Sequence, residues 1–404
     1  MDRVEVIVCA SRLHEEREVT RLKRNLLSEI GTAGGFTVQE VTAPSGEGLI
    51  AVLVLTGGVE REVLKLVSQL PSPTFLIAHP GHNSLAACLE ILARIHRDGG
   101  EGRILFGSPQ AIAADLGREL KVVSSWEDLR FSRIGLIGEP SDWLVASDVD
   151  RAFLKGRLGI ELVEIGIDEL IKRIESAEPS KREISRFSKG AQSVAEPSNE
   201  ELKGAVAIYT ALRAMIEEHR LAACTLRCFD LVERVQNTGC YALSRLNDEK
   251  IPAGCEGDLQ ALFSLYLGSL LSKKAAFMGN IVSVDTSTRQ VTVAHCTCPL
   301  SLATSYAIRS HFESGIGVSI AAEVPQGPCT LFRLGGKRFE NLFVRQGTIE
   351  SASQREDLCR TQVTLSVTEP VDPLLTAPLG NHHILLPGHH KETIERFFTR
   401  FLRP

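Results

Sequence analysis

The chain has 404 residues, of which 43% are hydrophobic, so it can bury more than one core, because single cores rarely grow beyond about 250–300 residues. Its net charge of −5 and its aromatic content of 5% argue against a nucleic-acid partner, which needs basic surfaces and stacking rings. No apolar run approaches the roughly 18–20 residues of a membrane helix or forms a signal-peptide core, and the ten cysteines fit reduced thiols. We therefore expect a cytoplasmic protein with no membrane partner.

Strands alternate with helices through the first domain, predicted for residues 1–125. Apolar or β-branched runs predict strands at 4–10, 36–41, 49–55 and 74–78, with helices between most of them. This alternation is typical of a parallel sheet covered on both faces, a Rossmann-like domain. Ligands bind beyond the strand ends of such sheets. His79 is therefore either a candidate substrate contact or an ordinary loop histidine.

A second Rossmann-like domain is predicted for residues 126–275, after a polar boundary stretch at 122–132. Its first loop carries Ser141, Asp142 and Trp143. A Trp ring suits stacking on a sugar, and the two polar side chains suit its hydroxyl groups. Alternatively, Trp143 only covers the domain surface.

The same domain contains a stretch at 176–201 that is rich in Ser, Lys and Glu, and this composition predicts a surface segment or linker. Further along, Glu256 lies in a Gly-rich turn that opens an apolar helix. The positive end of that helix would keep the carboxylate ionised. Glu256 is therefore either a site residue or an ordinary acid at a helix N-terminus.

The last domain, predicted for residues 276–404, has short alternating segments separated by Gly and Pro turns, which indicates an antiparallel β-barrel-like domain. Residues 277–280 are predicted to form a loop. A strand then ends at His295, which is either a metal ligand or a core histidine. Cys296 and Cys298 follow it and either bind a soft metal or pack as buried thiols.

Four short motifs carry a resemblance to a known family. They are CEGD at 255–258, FMGN at 277–280, AHCTCP at 294–299 and GNHH at 380–383. In this order, behind an α/β half, they resemble the L-fucose isomerase and L-arabinose isomerase group. The resemblance implies a homo-oligomer with its sites near subunit boundaries.

The resemblance also implies an activity, the interconversion of an aldose and a ketose, with a divalent metal as cofactor. Mn²⁺ is the expected ion, with Mg²⁺ or Co²⁺ as alternatives. By this resemblance Glu256 is both ligand and base, and Asn280, His295 and His382 take the other ligand positions. Of the adjacent His382 and His383, only one can face the site if they lie on a strand.

Asn280 departs from the family pattern, which has a carboxylate at that position. An amide cannot accept a proton at neutral pH, so one acid/base group is missing. Asp258 is our candidate replacement, and Asp285 is the second. Asn280 also leaves two other functions open: metal-assisted aldol cleavage or epimerisation on the same fold, or sugar binding without catalysis.

Overall fold

The computed structural model describes residues 3–46, 48–352 and 355–403. The chain divides into two compact units, Met1–Glu127 and Asp128–Pro404. None of the helices in these ranges combines the length and apolar character needed to cross a bilayer.

The first unit is built on a parallel sheet in the order β2-β1-β3-β4-β5. Its strands are β1 (Arg3–Cys9), β2 (Thr37–Glu40), β3 (Leu49–Val54), β4 (Thr74–Ile77) and β5 (Gly102–Leu105). Its helices are α1 (Glu16–Gly34), α2 (Glu60–Val67), α3 (Ser84–Arg97) and α4 (Pro109–Leu129), which begins in this unit. Alternate residues of β3 belong to two separate apolar clusters, Leu53 to one and Val52 to the other. The sheet is therefore covered on both faces.

The second unit begins with a four-stranded parallel sheet in the order β10-β9-β6-β7. This part contains the strands β6 (Arg133–Ile137), β7 (Glu161–Ile165), β8 (Ser193–Val194), β9 (Ala223–Leu226) and β10 (Ala253–Cys255). Its helices are α5 (Arg151–Arg157), α6 (Ile167–Ser176), α7 (Lys181–Gly190), α8 (Asn199–His219), α9 (Phe229–Val235), α10 (Cys240–Asp248) and α11 (Leu259–Ser272). Helix α11 is apolar almost all round because it packs against both β10 and the barrel strands β15 and β18.

The rest of the second unit is dominated by a closed antiparallel barrel in the order β11-β12-β17-β16-β15-β18, in which β18 pairs again with β11. The strands are β11 (Phe277–Asp285), β12 (Gln290–His295), β13 (Ser305–Arg309), β14 (Ser319–Glu323), β15 (Gly327–Gly335), β16 (Asn341–Ala352), β17 (Thr361–Val367) and β18 (His382–Pro387). The helices are a 3-10 helix (Leu300–Leu302), α12 (Pro373–Thr376), α13 (Lys391–Phe397) and a π-helix (Phe398–Leu402). Strands β14, β13 and β8 form a separate small sheet.

The predicted fold class is confirmed: two parallel-sheet α/β domains precede an antiparallel β-barrel. One local prediction, a linker at 176–201, is wrong. The segment at 176–201 contains α7, β8 and the start of α8, because Phe187 packs into the core against Tyr241 with ring centroids 4.0 Å apart. The predicted boundary stretch at 122–132 contains the division between the two compact units, and most of it is the end of α4, where Leu129 is buried. The boundary predicted after residue 275 stays a prediction.

Candidate active site

Three neighbouring barrel strands and one turn bring the candidate ligands together. In the barrel, Asn280 on β11 pairs with Ala294 on β12 and with His382 on β18, so that His295, at the end of β12, and His382 lie on either side of it. Glu256 follows β10 in the turn before α11. One ligand atom each from Glu256, His295 and His382 lies within 4.8 Å of the others, and all three residues are buried.

The turn that carries Glu256 has an unusual backbone. Glu256 has φ of 63° and Gly257 has φ of 72°. A Cβ atom on Gly257 would lie 2.7 Å from the carbonyl oxygen of Glu139, so only glycine fits. The carbonyl oxygen of Glu256 accepts a hydrogen bond from Ser141 N at 2.9 Å. These constraints aim the Glu256 side chain at the two histidines.

The donor set fits a divalent metal ion. Nε2 of His382 is buried and makes no hydrogen bond within the described ranges, although it lies 3.5 Å from Oε1 of Glu256. Its Nδ1 is 3.0 Å from Asp258 Oδ2, and Nδ1 of His295 is 3.0 Å from Oγ1 of Thr297. Because the Nδ1 atoms are engaged, the Nε2 atoms are the ones left for a ligand role. One carboxylate and two imidazoles suit ions such as Mn²⁺, Co²⁺ or Zn²⁺.

Asp258 lies behind His382 and not on the cavity wall. It caps α11 through Ala261 N at 2.8 Å, and its other oxygen is 3.3 Å from Nη1 of Arg333. Both side chains are fully buried. Arg333 also donates to the carbonyl oxygen of His382 at 2.6 Å and to Oγ of Ser147 at 3.0 Å. The geometry therefore places Asp258 as a group that orients His382, and it does not give it the direct access to substrate expected of a catalytic residue.

The charges of the cluster are strongly coupled. Burial alone would lower the pKa of His382, but Asp258 and Glu256 outweigh it and raise the pKa to about 9. Burial alone would raise the pKa of Glu256, but His382 outweighs it and lowers the pKa to about 2. The pKa of Asp258 is also lowered, against burial, by Arg333 and His382. Burial lowers the pKa of His295 to about 3. Without metal, these shifts favour a protonated His382 between two ionised carboxylates.

Asn280 lines the same cavity but is already paired. Its Oδ1 accepts a hydrogen bond from Nδ2 of Asn381 at 2.9 Å. The segment 277–280 is the start of β11 and not the predicted loop, because its backbone pairs with β18. Asp285 is far along the same strand and binds Ser287 and Thr288 in a hairpin turn. It does not line the cavity.

Of the three loop residues predicted to contact substrate, the structure places one at the cavity. Trp143 lines it, with Nε1 donating to Oε2 of Glu256 at 2.6 Å and its ring edge-on to Phe229, 4.9 Å between centroids. Asp142 is exposed and pairs with Arg227 at 3.4 Å in a different cleft. Ser141 is buried, and its hydroxyl makes no hydrogen bond to the described residues. A direct hydroxyl contact from Ser141 or Asp142 is therefore not supported.

His79 has a structural role in the first unit. Its Nε2 lies 2.8 Å from the carbonyl oxygen of Leu55, and its Nδ1 accepts from Gly81 N at 3.1 Å. With both ring nitrogens engaged, it has no free atom for the predicted substrate contact. Cys296 and Cys298 are buried, and neither joins the ligand group found in the described ranges, which favours packing thiols over a soft-metal site.

The cavity has a volume of about 350 Å³. Its wall is formed by Trp143, Cys228, Phe229, Cys240, Cys255, Glu256, Asn280, His295, Cys296, His311, Glu313, Cys359 and Asn381. The volume lies in the usual range for small-molecule pockets.

Comparison with known proteins finds relatives of this chain among sugar isomerases. A sulfoquinovose isomerase of Alkalicoccus urumqiensis is 25% identical over 285 residues, 67% of this chain and 63% of the relative. One of Priestia megaterium is 25% identical over 240 residues, 57% of this chain and 54% of the relative. One of Clostridium sp. is 30% identical over 138 residues, 33% of this chain and 31% of the relative.

The chain is similar to sulfoquinovose isomerases. It spans less than two thirds of the length of these curated relatives. No protein-family model matches the sequence. The finer assignment to the L-fucose and L-arabinose isomerase group stays a prediction.

Sequence reasoning missed three residues around the cluster: Arg333, His311 and Glu313. Arg333 could have been identified from the sequence, because it is a charged residue inside the apolar strand run CTLFRLGG. A charge buried in such a strand needs a partner. His311 and Glu313 lie in a turn after β13, and no spacing pattern connects that turn with Glu256.

Proposed function

We propose that this chain is a metal-dependent sugar isomerase of the L-fucose and L-arabinose isomerase type, which interconverts an aldose and a ketose through an enediol. The observation that carries the proposal is the buried Glu256–His295–His382 cluster, of which Glu256 and His295 line a cavity of about 350 Å³. Similarity to proteins named sulfoquinovose isomerase supports a sugar substrate and makes sulfoquinovose the first aldose to test.

Glu256, His295 and His382 would hold the cofactor, a divalent ion such as Mn²⁺, Mg²⁺ or Co²⁺. When bound, the ion supplies Lewis acidity to two adjacent sugar oxygens and stabilises the negative charge that develops on them. Asn280 is proposed as a weaker fourth contact through its amide oxygen, which would then be shared with Asn381.

The chain's own residues then move the carbon-bound proton. Glu256 is the proposed base that takes the proton from C2 of the aldose and returns it to C1 of the enediol. Trp143 holds one carboxylate oxygen of Glu256 at 2.6 Å and offers a half-exposed ring to the sugar. Asp258 holds His382 in the orientation that keeps Nε2 toward the cluster.

Asn280 favours a second candidate, metal-assisted aldol cleavage or epimerisation on the same site. Aldol cleavage begins with loss of a hydroxyl proton and C2 epimerisation with loss of the C2 proton, and Glu256 is the base available for either.

Incubation in D₂O with Mn²⁺ tests the proposal, with sulfoquinovose, L-fucose and L-arabinose as substrates and NMR as the readout. The proposal predicts a ketose isomeric with the aldose, with solvent deuterium at C1 to the extent that the proton held by Glu256 exchanges before it is returned. Shorter carbonyl products would indicate aldol cleavage, and a C2 epimer without ketose would indicate epimerisation. No conversion of any sugar would leave a sugar-binding protein as the better explanation.

A further inference from the structure

The cavity wall carries a second carboxylate, that of Glu313. This residue lies in the turn between β13 and β14, which is closed by two backbone hydrogen bonds: His311 N donates to the Ile316 carbonyl at 3.1 Å and Gly315 N donates to the His311 carbonyl at 2.8 Å. The turn itself is exposed, whereas His311 at its base is 8% exposed. Glu313, which is exposed, and Glu256, which is buried, both line the cavity.

Aldose–ketose isomerisation through an enediol moves two protons, and a second carboxylate is suited to carry the one between the oxygens. The C2 proton must move to C1, and a second proton must move from O2 to O1. Asn280 cannot carry a proton, and Asp258 is fully buried behind His382. Among the described residues that line the cavity, Glu256 and Glu313 are the two carboxylates.

The pKa values of Glu256 and Glu313 are shifted in opposite directions, as expected if one acts as a base and the other as an acid. Partial burial, and then the negative charge of Glu256, raise the pKa of Glu313. A carboxyl group that keeps its proton closer to neutral pH is suited to act as an acid beside an ionised base.

We propose that Glu313 is the second catalytic residue of the isomerase and carries the proton between the two sugar oxygens. The inference rests on the proposed function. As Glu256 takes the C2 proton, Glu313 gives its proton to O1, which yields the neutral enediol. Glu256 then returns its proton to C1, and Glu313 takes the proton of O2 as the C2 carbonyl forms. Both side chains regain their starting protonation states, and no other reactant is consumed.

The test compares Glu313→Gln and Glu313→Asp with the parent, using sulfoquinovose, L-fucose and L-arabinose as substrates with Mn²⁺. Glu350→Gln is the matched control, since Glu350 is an exposed glutamate on β16 that does not line the cavity. The glutamine variant is expected to lose at least about a hundredfold in kcat, with KM and bound Mn²⁺ within about twofold of the parent. The aspartate variant should recover part of the loss.

Three results would overturn the inference. If the parent converts none of the aldoses, the proposed function fails and the role of Glu313 fails with it. If the parent is active and Glu313→Gln stays within about threefold of Glu350→Gln, the isomerase stands without Glu313. If kcat and bound Mn²⁺ fall together, Glu313 supports the site structurally and does not carry a proton.

Discussion

At the scale of single residues, the charge on the His382 ring decides whether the two neighbouring carboxylates are neutralised. Its two ring nitrogens lie 3.0 Å from Asp258 and 3.5 Å from Glu256. A positive imidazolium satisfies both carboxylates while no metal is bound. A metal ion can replace that positive charge only if the imidazolium loses its proton.

Metal uptake should therefore release a proton. The pKa of His382 is raised from 6.5 to about 9, so below about pH 9 the ring is mostly protonated and each bound ion must displace one proton. Affinity for Mn²⁺ should rise by up to about tenfold per pH unit and level off above about pH 9. Titration calorimetry in buffers of different ionisation enthalpy measures the protons released. An affinity that is independent of pH, with no proton release, would contradict this charge arrangement.

Arg333 should matter far more to stability than an exposed ion pair. Replacing it in Arg333→Met leaves the buried Asp258 carboxylate with only the His382 ring that it shares with Glu256, and breaking a buried pair costs about 3–5 kcal/mol. Urea unfolding measures the free energy of unfolding. Lys337→Met, which breaks an exposed pair with Asp148, should leave it almost unchanged, because solvent screens such a pair.

The double variant Arg333→Met with Asp258→Asn tests the cause of that loss. Removing both charges should recover part of the stability, because no unpaired charge then remains buried. If the double variant loses the full sum of the two single effects, Arg333 stabilises the protein by packing and not by charge pairing.

Short sequence motifs predicted the metal ligands but not the residues that hold those ligands in place. Glu256, His295 and His382 were predicted from short motifs, and the structure brings them together. The direct proton-transfer role predicted for Asp258 could not be checked in sequence, since its partners Arg333 and His382 are 75 and 124 positions away. Predicting such contacts requires the barrel register, which follows from strand pairing and not from local spacing.

The turn between β10 and α11 is the element on which the position of Glu256 depends. Gly257→Ala should strain the backbone and also force Glu139 and Pro140 away, because its Cβ would lie 2.7 Å from both. We expect a large loss of bound Mn²⁺. Gly35→Ala is the control, since Gly35 has a similar φ of 65° with no atom within 4 Å of the added Cβ. It should cost only about 1 kcal/mol and leave metal binding unchanged.

Equal metal contents in these two variants would show that close packing at Gly257 does not position Glu256. Metal content by elemental analysis and melting temperature, measured on the same samples, separate a displaced ligand from a general loss of stability.

Helices and strands were predicted correctly where the local sequence pattern agrees with the packing. They were missed where contacts with distant residues determine the structure. The alternating strands and helices of the first unit follow directly from their apolar periodicity. Segment 277–280 reads as a loop because it contains Gly279 and Asn280, yet pairing with β18 makes it a strand. Helix α7 lies in a polar stretch and is held to the core by the buried Phe187, with the partly buried Ile184 packed beside it.

At the scale of the whole molecule, all the proposed ligands lie in the second unit. Bound metal stabilises a folded state by mass action, about 2.7 kcal/mol at a hundredfold excess over Kd. Hydrogen exchange with and without Mn²⁺ should therefore show added protection in peptides that cover β10, β11, β12 and β18. Peptides from residues 3–46 and 48–105 should change little. Equal protection in both units would contradict a site confined to the second unit.

The fold class of the molecule was predictable because the pattern of apolar segments and turn residues changes along the chain. Alternating β and α segments give way to short strands with Gly and Pro turns near residue 276, and the structure changes from parallel sheets to a barrel there. Closure of the barrel by β18 was not predictable, because the partners β11 and β18 are about 100 residues apart.

The most direct measurement of the central claim is metal content together with aldose–ketose conversion, for the parent and for Glu256→Gln. The account predicts near-stoichiometric divalent metal and formation of a ketose from sulfoquinovose or another aldose by the parent, with both lost in the variant. A parent that forms ketose while its metal sites are empty, or a variant that keeps full activity, would contradict it.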